Sequence, residues 1–211
     1  MIDPGYFSEF SLASKAIHGY KKPEDAFRAV AFPIYQTSTF QNPVLGSDIR
    51  YSYSRCANPT RAYLEDTIAL LEGGRAGFAF STGLAAVLAV FSLLKSGDHV
   101  VISDDVYGGT YRQVSELWED LGIAFDAVDI GDTDAVCACI RPNTRLIYAE
   151  TPTNPMMKVA DIAALADIAH KNHALLAVDN TFLTPVFARP LEHGADIVLH
   201  SGTKYLSGHH D

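Results

Sequence analysis

The chain has 211 residues, 48% of them hydrophobic and 19% charged, enough for a sizeable core and unlike a disordered chain. Its formal charge of −9, from 25 acidic and 16 basic residues with no basic block, argues against nucleic acid as a partner. The longest apolar stretch, around Gly83–Leu94, is too short to span a bilayer, and MIDPGYFSEF lacks the pattern of a signal peptide.

Residues 1–57 are rich in aromatics, proline and serine and show no sustained helical period. Within them Ala31–Arg55 (AFPIYQTSTFQNPVLGSDIRYSYSR) reads as an extended arm. An arm that cannot bury a core of its own must lie on something else. A neighbouring subunit is the expected support. The three cysteines, Cys56, Cys137 and Cys139, form an odd and sparse set that fits a reducing cytoplasm better than a disulfide framework.

Residues 58–211 read as a second domain in which helices and strands alternate. Asn58 caps a helix over Pro59–Leu71, Pro59 suits the first helical position, and Gly73-Gly74 ends it. Gly77–Phe80 is predicted as a short strand and Gly83–Lys95 as an apolar helix closed by Gly97. Strands are predicted over His99–Ser103, Ile123–Val128, Arg145–Glu150, Leu175–Asp179 and Asp196–His200. Helices are predicted over Thr110–Leu121, Asp132–Ile140 and Asp161–Lys171. Short apolar strands alternating with helices predict an α/β fold: a mostly parallel sheet with helices on both faces.

In such sheets ligands bind past the carboxyl ends of the strands, and four of these junctions stand out. Ser81-Thr82-Gly83-Leu84 runs from a strand into a helix, where free N–H groups and the helix dipole make an anion site; an ordinary helix cap reads the same way. The pattern is neither GxGxxG nor GxxxxGK[ST], which argues against a nucleotide-dependent dehydrogenase and a P-loop enzyme. Tyr107, before Gly108-Gly109, could stack on a flat cofactor or pack beneath its loop. Asp179 ends an apolar strand, so its carboxylate needs a cation or a donor. A pyridinium nitrogen, a magnesium ion or a helix terminus would each serve. Lys204, in HSGTKY, is either a solvated loop lysine or an interior amine made nucleophilic by losing its charge. Ser201 and Thr203 alternate with Gly202, so their hydroxyls can face one phosphate.

Six ordered stretches resemble the Cys/Met-metabolism family of pyridoxal 5′-phosphate (PLP) enzymes: YSYSRCANPT (51–60), STGLA (81–85), DVYGGT (105–110), ETPTNP (150–155), VDNTF (178–182) and HSGTKYLSG (200–208). The resemblance runs from about Pro33 to the last residue. It implies PLP-dependent transferase fold type I, like aspartate aminotransferase, assembled as a homotetramer of two close dimers. By the resemblance Lys204 carries PLP as a Schiff base and shuttles protons, Asp179 pairs with the pyridine nitrogen, and Tyr107 stacks on the ring and serves as an acid or base at the leaving group. The amides of Gly83 and Leu84 and the hydroxyls of Ser201 and Thr203 hold the phosphate. Tyr53 and Arg55 reach the phosphate of the neighbouring subunit, and Asn154 sits near the substrate carboxylate and the ring hydroxyl. Thr82 and Thr181 are further candidates for contacts near the phosphate or ring.

The resemblance implies trans-sulfuration of sulfur amino acids by γ-replacement or γ-elimination, as in cystathionine γ-synthase or γ-lyase. Cystathionine β-lyase and O-acetylhomoserine sulfhydrylase are the alternatives. Gly109 stands where methionine γ-lyases carry a cysteine, which counts against that activity. Members of the family run on past the point corresponding to Asp211, into a smaller C-terminal domain that holds the arginine for the substrate carboxylate. That arginine is expected to be absent from this stretch, so a catalytically silent fragment is the reading of another class. No metal is expected: His209-His210-Asp211 reads as the run after the PLP lysine, and Cys137 and Cys139 as buried small side chains. His170 and His173 suit a helix end.

Overall fold

The computed structural model describes residues 7–19 and 29–209, in two compact units, Met1–Ala79 and Phe80–Asp211. His210 and Asp211, part of the run after Lys204, lie outside the described residues.

The first unit holds two helices, α1 (Leu12–His18) and α2 (Pro59–Glu72). The predicted α2 forms as expected. Asn58 Oδ1 accepts from Thr60 N at 2.8 Å, Pro59 opens the helix, and Gly73 ends it in the left-handed region with φ 74°. The short α1 was not expected. Its seven residues give too little periodicity to see, and its one local signal is the Ser11 side chain accepting from Ser14 N. Tyr63 of α2 donates to His18 O at 3.0 Å, and Phe32 stacks on Tyr63 with ring centroids 4.2 Å apart.

The arm over residues 31–55 forms no regular element beyond one antiparallel bridge, Thr39 to Tyr53. Ile34, Val44 and Leu45 on it are exposed. Gly77–Phe80 is a correction to the sequence reading. The segment is not a strand, because among the described residues no neighbouring strand pairs with it. Ala79 N instead donates to Glu65 Oε1 at 3.0 Å.

The second unit is built on five parallel strands: β1 (His99–Ser103), β2 (Ala124–Val128), β3 (Thr144–Glu150), β4 (Leu175–Asp179) and β5 (Ile197–Leu199). Their order across the sheet is β2-β1-β3-β4-β5. Alternate residues of each strand enter opposite cores. Val100, Ile102, Leu146, Tyr148 and Ala177 pack against α3 (Gly83–Phe91) and against Val114 and Trp118. Val101, Ile147, Ala149, Leu176 and Val178 pack against α5 (Thr133–Cys139) and α6 (Ile162–Lys171). Burial on both faces is why the strands read as continuous apolar runs, each large side chain contributing about 1.5–3 kcal/mol.

Several boundaries move. α3 stops at Phe91, four residues early, where Ser92 Oγ turns back to Ala89 O at 2.6 Å. The expected helix over Thr110–Leu121 is α4 (Gly108–Gln113) followed by a π-helical turn, Val114–Trp118. A four-residue α7 (Thr184–Phe187) and a 3-10 turn (Pro190–His193) are too short for any periodic signal. Cys137 is exposed and Cys139 half-buried, not buried as expected, because α5 turns Val136 to the core instead. His170 Nε2 lies 3.0 Å from Asp196 Oδ2, and His173 falls past the end of α6. No described helix is long and apolar enough to cross a membrane.

The amino ends of the strands close on a buried polar cluster. His99 Nδ1 meets Thr144 Oγ1 at 2.8 Å, and Nε2 lies 3.2 Å from Asp126 Oδ2, which also receives Arg141 Nη2 at 2.7 Å. Burial pushes His99 below the ordinary histidine range, and the Arg141 guanidinium adds to this, against Asp126. A depressed histidine contributes stability at neutral pH that is lost as pH falls through its folded value. His99→Asn is therefore expected to cost about 1–3 kcal/mol at neutral pH. Melting curves of wild type and variant should converge as the pH is lowered below about 6.5.

Candidate active site

At the opposite, carboxyl edge of the sheet, the ends of β1, β3, β4 and β5 and the start of α3 surround a cavity of about 280 Å³. This is near the lower end of small-ligand sites, roughly 300–1,000 Å³. Every residue lining it belongs to the second unit.

Asp179, the last residue of β4, is half-buried and lines the cavity. Its Oδ1 accepts from Thr181 N at 3.0 Å and from Thr181 Oγ1 at 2.5 Å. Its Oδ2 accepts from Tyr148 Oη at 3.2 Å. Tyr148 is fully buried, and burial followed by the charge of Asp179 holds its phenol well above the ordinary tyrosine range, so the hydroxyl stays a donor. Thr181 Oγ1 in turn accepts from Ser201 N at 2.8 Å, joining the end of β4 to the segment after β5.

Tyr107 stands just before α4 with its ring half exposed to the cavity. Its N–H donates to Glu150 Oε2 at 2.8 Å. Glu150 ends β3 and is 6% exposed. Burial pushes its carboxyl up to about 7, with the charges of Asp179 and Asp105 adding and the Tyr107 N–H opposing. The loop after β3 is tied to the loop after β1: Asp105 Oδ2 accepts from Thr153 Oγ1 at 2.5 Å and Met156 N at 2.8 Å. Lys158 Nζ adds an ion pair to Asp104 at 2.8 Å. Asn154, on this anchored loop, lines the cavity.

Thr82 caps α3, its hydroxyl accepting from Ala85 N at 3.0 Å, and Gly83 and Leu84 open the helix. A Cβ at Gly83 would stand 2.9 Å from Ser201 Cβ and 3.0 Å from its Oγ, so the backbone and Ser201 form a cradle only glycine leaves open. Thr203 lines the same cavity. Lys204 also lines it and is exposed on a turn, the solvated-loop alternative of the two that the sequence leaves open. Residues 202–208 form consecutive turns.

The structure thus gathers Lys204, Asp179, Tyr107, Gly83, Leu84, Ser201, Thr203, Asn154, Thr82 and Thr181 around one cavity. Tyr53 and Arg55 belong to the first unit, where Arg55 Nη2 donates to the Tyr53 hydroxyl at 2.6 Å. Sequence reasoning missed Glu150 and Thr110 as lining residues. Glu150 had a visible signal, since it ends its strand just as Asp179 does. The donor set fits PLP: an amine for the carbonyl, a carboxylate for a pyridinium, an aromatic face, and a glycine cradle with two hydroxyls at a helix start for a phosphate.

A family model described as Cys/Met metabolism PLP-dependent enzyme matches residues 13–211, and the chain belongs to that family. Cystathionine gamma-lyase of Bacillus subtilis (strain 168) is 54% identical over 195 residues, covering 92% of this chain and 52% of that protein. Cystathionine beta-lyase of Lactococcus lactis subsp. cremoris is 50% identical over 201 residues, covering 95% and 53%. The crystal structure of cystathionine gamma-lyase from Lactobacillus plantarum complexed with L-serine superposes with a TM-score of 0.90 at 48% identity, over 95% of this chain and 52% of that one. The chain therefore spans about half the length of these relatives.

The cradle gives a direct test. Gly83→Ala in the full-length protein is expected to weaken PLP binding about tenfold or more, by displacing Ser201, and to lower stability by about 1–3 kcal/mol. Cofactor titration followed by absorbance measures the first and thermal melting the second.

Proposed function

We propose that the whole protein is a PLP-dependent trans-sulfuration enzyme that acts on sulfur amino acids by γ-replacement or γ-elimination, like cystathionine γ-synthase or γ-lyase. The observation that carries this reading is the convergence of Lys204, Asp179 and Tyr107 on one cavity in a chain of this family.

Bound PLP supplies an electron sink in conjugation with the amino group of the substrate. Lys204 Nζ would hold the cofactor's carbonyl carbon and, when free, would be the base for the α-proton. Asp179, aimed by its contacts to Thr181 and Tyr148, would hold a pyridinium nitrogen and keep the ring charged. Tyr107 would supply an aromatic face for the ring and a phenol for the proton of the leaving group. Gly83 and Leu84 amides with the Ser201 and Thr203 hydroxyls hold the phosphate, and Asn154 lies by the substrate carboxylate and the ring hydroxyl.

Tyr53 and Arg55 serve the phosphate of a neighbouring subunit, within a homotetramer of two close dimers. The exposed apolar side chains of Ile34, Val44 and Leu45 on the arm support burial against a second copy. Gly109 supports a cystathionine enzyme over a methionine γ-lyase, since it stands where methionine γ-lyases carry a cysteine. The similarity to a cystathionine β-lyase at 50% identity favours β-elimination as the second reading, beside O-acetylhomoserine sulfhydrylase activity. The presence of Lys204, Asp179 and Tyr107 in one cavity argues against a catalytically silent chain.

Borohydride treatment of the full-length, PLP-loaded protein is expected to leave a stable cofactor adduct on Lys204, read by peptide mass; an adduct elsewhere or none at all overturns the proposal. Cystathionine, methionine, and O-acetylhomoserine with cysteine or sulfide should then be offered in turn. Cysteine with 2-oxobutyrate and ammonia from cystathionine marks γ-elimination, homocysteine with pyruvate and ammonia marks β-elimination, and a new thioether marks γ-replacement. Subunit sharing has its own signature. Mixing Arg55→Ala with Lys204→Ala, each inactive alone, is expected to restore about a quarter of the activity, because half the random dimers then carry one intact site. No recovery in mixed dimers would assign Arg55 to its own subunit's site.

A further inference from the structure

The cavity wall carries one carboxyl group that the roles above leave unassigned. Glu150 stands directly opposite Asp179 in the β3–β4 register, on neighbouring strands about 4.8 Å apart. Tyr148, Glu150 and Asp179 share the sheet face that packs on α3, because residues two apart on a strand point the same way. β3 thereby supports two separate parts of the pocket. Tyr148 holds the Oδ2 of Asp179, and Glu150 holds the main chain of Tyr107. The Glu150 N–H also donates to Ser103 Oγ at 3.1 Å, fixing the carboxyl-bearing residue to the end of β1.

Two carboxylates at opposed positions of adjacent strands cannot both ionise cheaply in a half-buried site. The donors decide which keeps the charge. Asp179 receives three, from Thr181 N, Thr181 Oγ1 and Tyr148 Oη. Glu150 is the more buried and receives only main-chain N–H groups, from Tyr107 and Asn154. The other titratable groups around the cavity are Asp105 and Tyr107 after β1, Tyr148 on β3, and His200 and Lys204 after β5.

We infer that Glu150 is a positioning residue of this pocket: its buried carboxyl, facing Asp179 across the β3–β4 register, anchors the Tyr107 main chain. The inference rests on the PLP reading of the cavity, and it concerns how that site is held in place. In the protonated form, which predominates below about pH 7, the carboxyl accepts the Tyr107 N–H as an amide would, without adding a second negative charge beside Asp179. The group's folded value lies above the ordinary carboxyl range, so its contribution is fully present at low pH and is lost as pH rises through about 7.

The test uses the full-length protein. In the cofactor-free form, the infrared difference between wild type and Glu150→Gln is expected to show a neutral carboxyl stretch that titrates away with a midpoint of about 7. No such band, or a midpoint in the ordinary carboxyl range near about 4, overturns the assignment. In the PLP-loaded form, Glu150→Gln is expected to keep the visible circular dichroism of the cofactor and its affinity, and to flatten the alkaline fall of kcat/KM. Glu150→Ala is expected to lose that dichroism by half or more and to bind PLP about tenfold more weakly. Equal damage from Gln and Ala would show that the negative charge is what the site needs, and no damage from Ala would show that Glu150 anchors nothing; either sinks the inference. Should the Ala variant fail to fold, Glu150→Asp, which withdraws the carboxyl by one methylene, is expected to show the same loss. Wild type that binds no PLP would sink the functional reading while leaving the infrared result standing.

Discussion

The pocket depends on the parallel pairing of β1, β3, β4 and β5, which brings all their carboxyl ends to one edge. An antiparallel neighbour would have sent one of these ends to the far side of the sheet. Parallel pairing requires helical crossovers, and crossovers bury both faces, so the strand interiors must be apolar. Polar chemistry is then confined to the strand ends. At the carboxyl edge Ser103, Glu150 and Asp179 are the last residues of their strands and His200 is the first past β5. The sheet does not merely carry the site; its register decides that Glu150 faces Asp179 and that Tyr107 can reach Glu150.

Much of this was legible in the residues. β1 and β4 form over the predicted bounds, Asn58 caps α2 as read, and the helices expected from Asp132 and Asp161 begin one residue later, with those aspartates accepting from the main chain. These features are local: an apolar run between breakers, or a short polar side chain before a helix. The misses are of another kind. α1 and α7 are too short to show a period. Gly77–Phe80 has a strand's composition, but a strand exists only through a partner. Glu150 was passed over although the rule that found Asp179 also points to it. Its meaning is pairwise, and pairing register is not visible in a single strand.

The donors around Asp179 show how a carboxylate is made fit to hold a cation. A buried charge without partners is expensive, so it must be satisfied before a ligand arrives. Thr181 satisfies Oδ1 twice, and Tyr148 satisfies Oδ2 from inside the core, where its ring also packs on Phe91. Tyr148 is therefore both core and site. Its ring is part of the hydrophobic cluster that fixes α3, and its hydroxyl is part of the electrostatics of the cavity. Through Thr181 Oγ1 and Ser201 N, the same carboxylate is linked to the residue that closes the Gly83 cradle. The ring end and the phosphate end of the proposed cofactor site are joined by three residues.

The two edges of the sheet make the decisive contrast. At the amino edge, Thr144, His99 and Asp126 line up hydroxyl to imidazole to carboxylate, the order of groups that activates a nucleophile. The hydroxyl and the imidazole are sealed from solvent. Thr144 is fully buried, and its hydroxyl already accepts from Arg141 N while meeting His99. At the carboxyl edge the same kinds of group are only partly enclosed: Asp179 is half-buried, Tyr107 half exposed and Lys204 exposed, and all three line open space. Residue type alone would rank the triad-like cluster as the better catalytic candidate. Access reverses the ranking and favours the edge where Asp179 and Lys204 line one cavity.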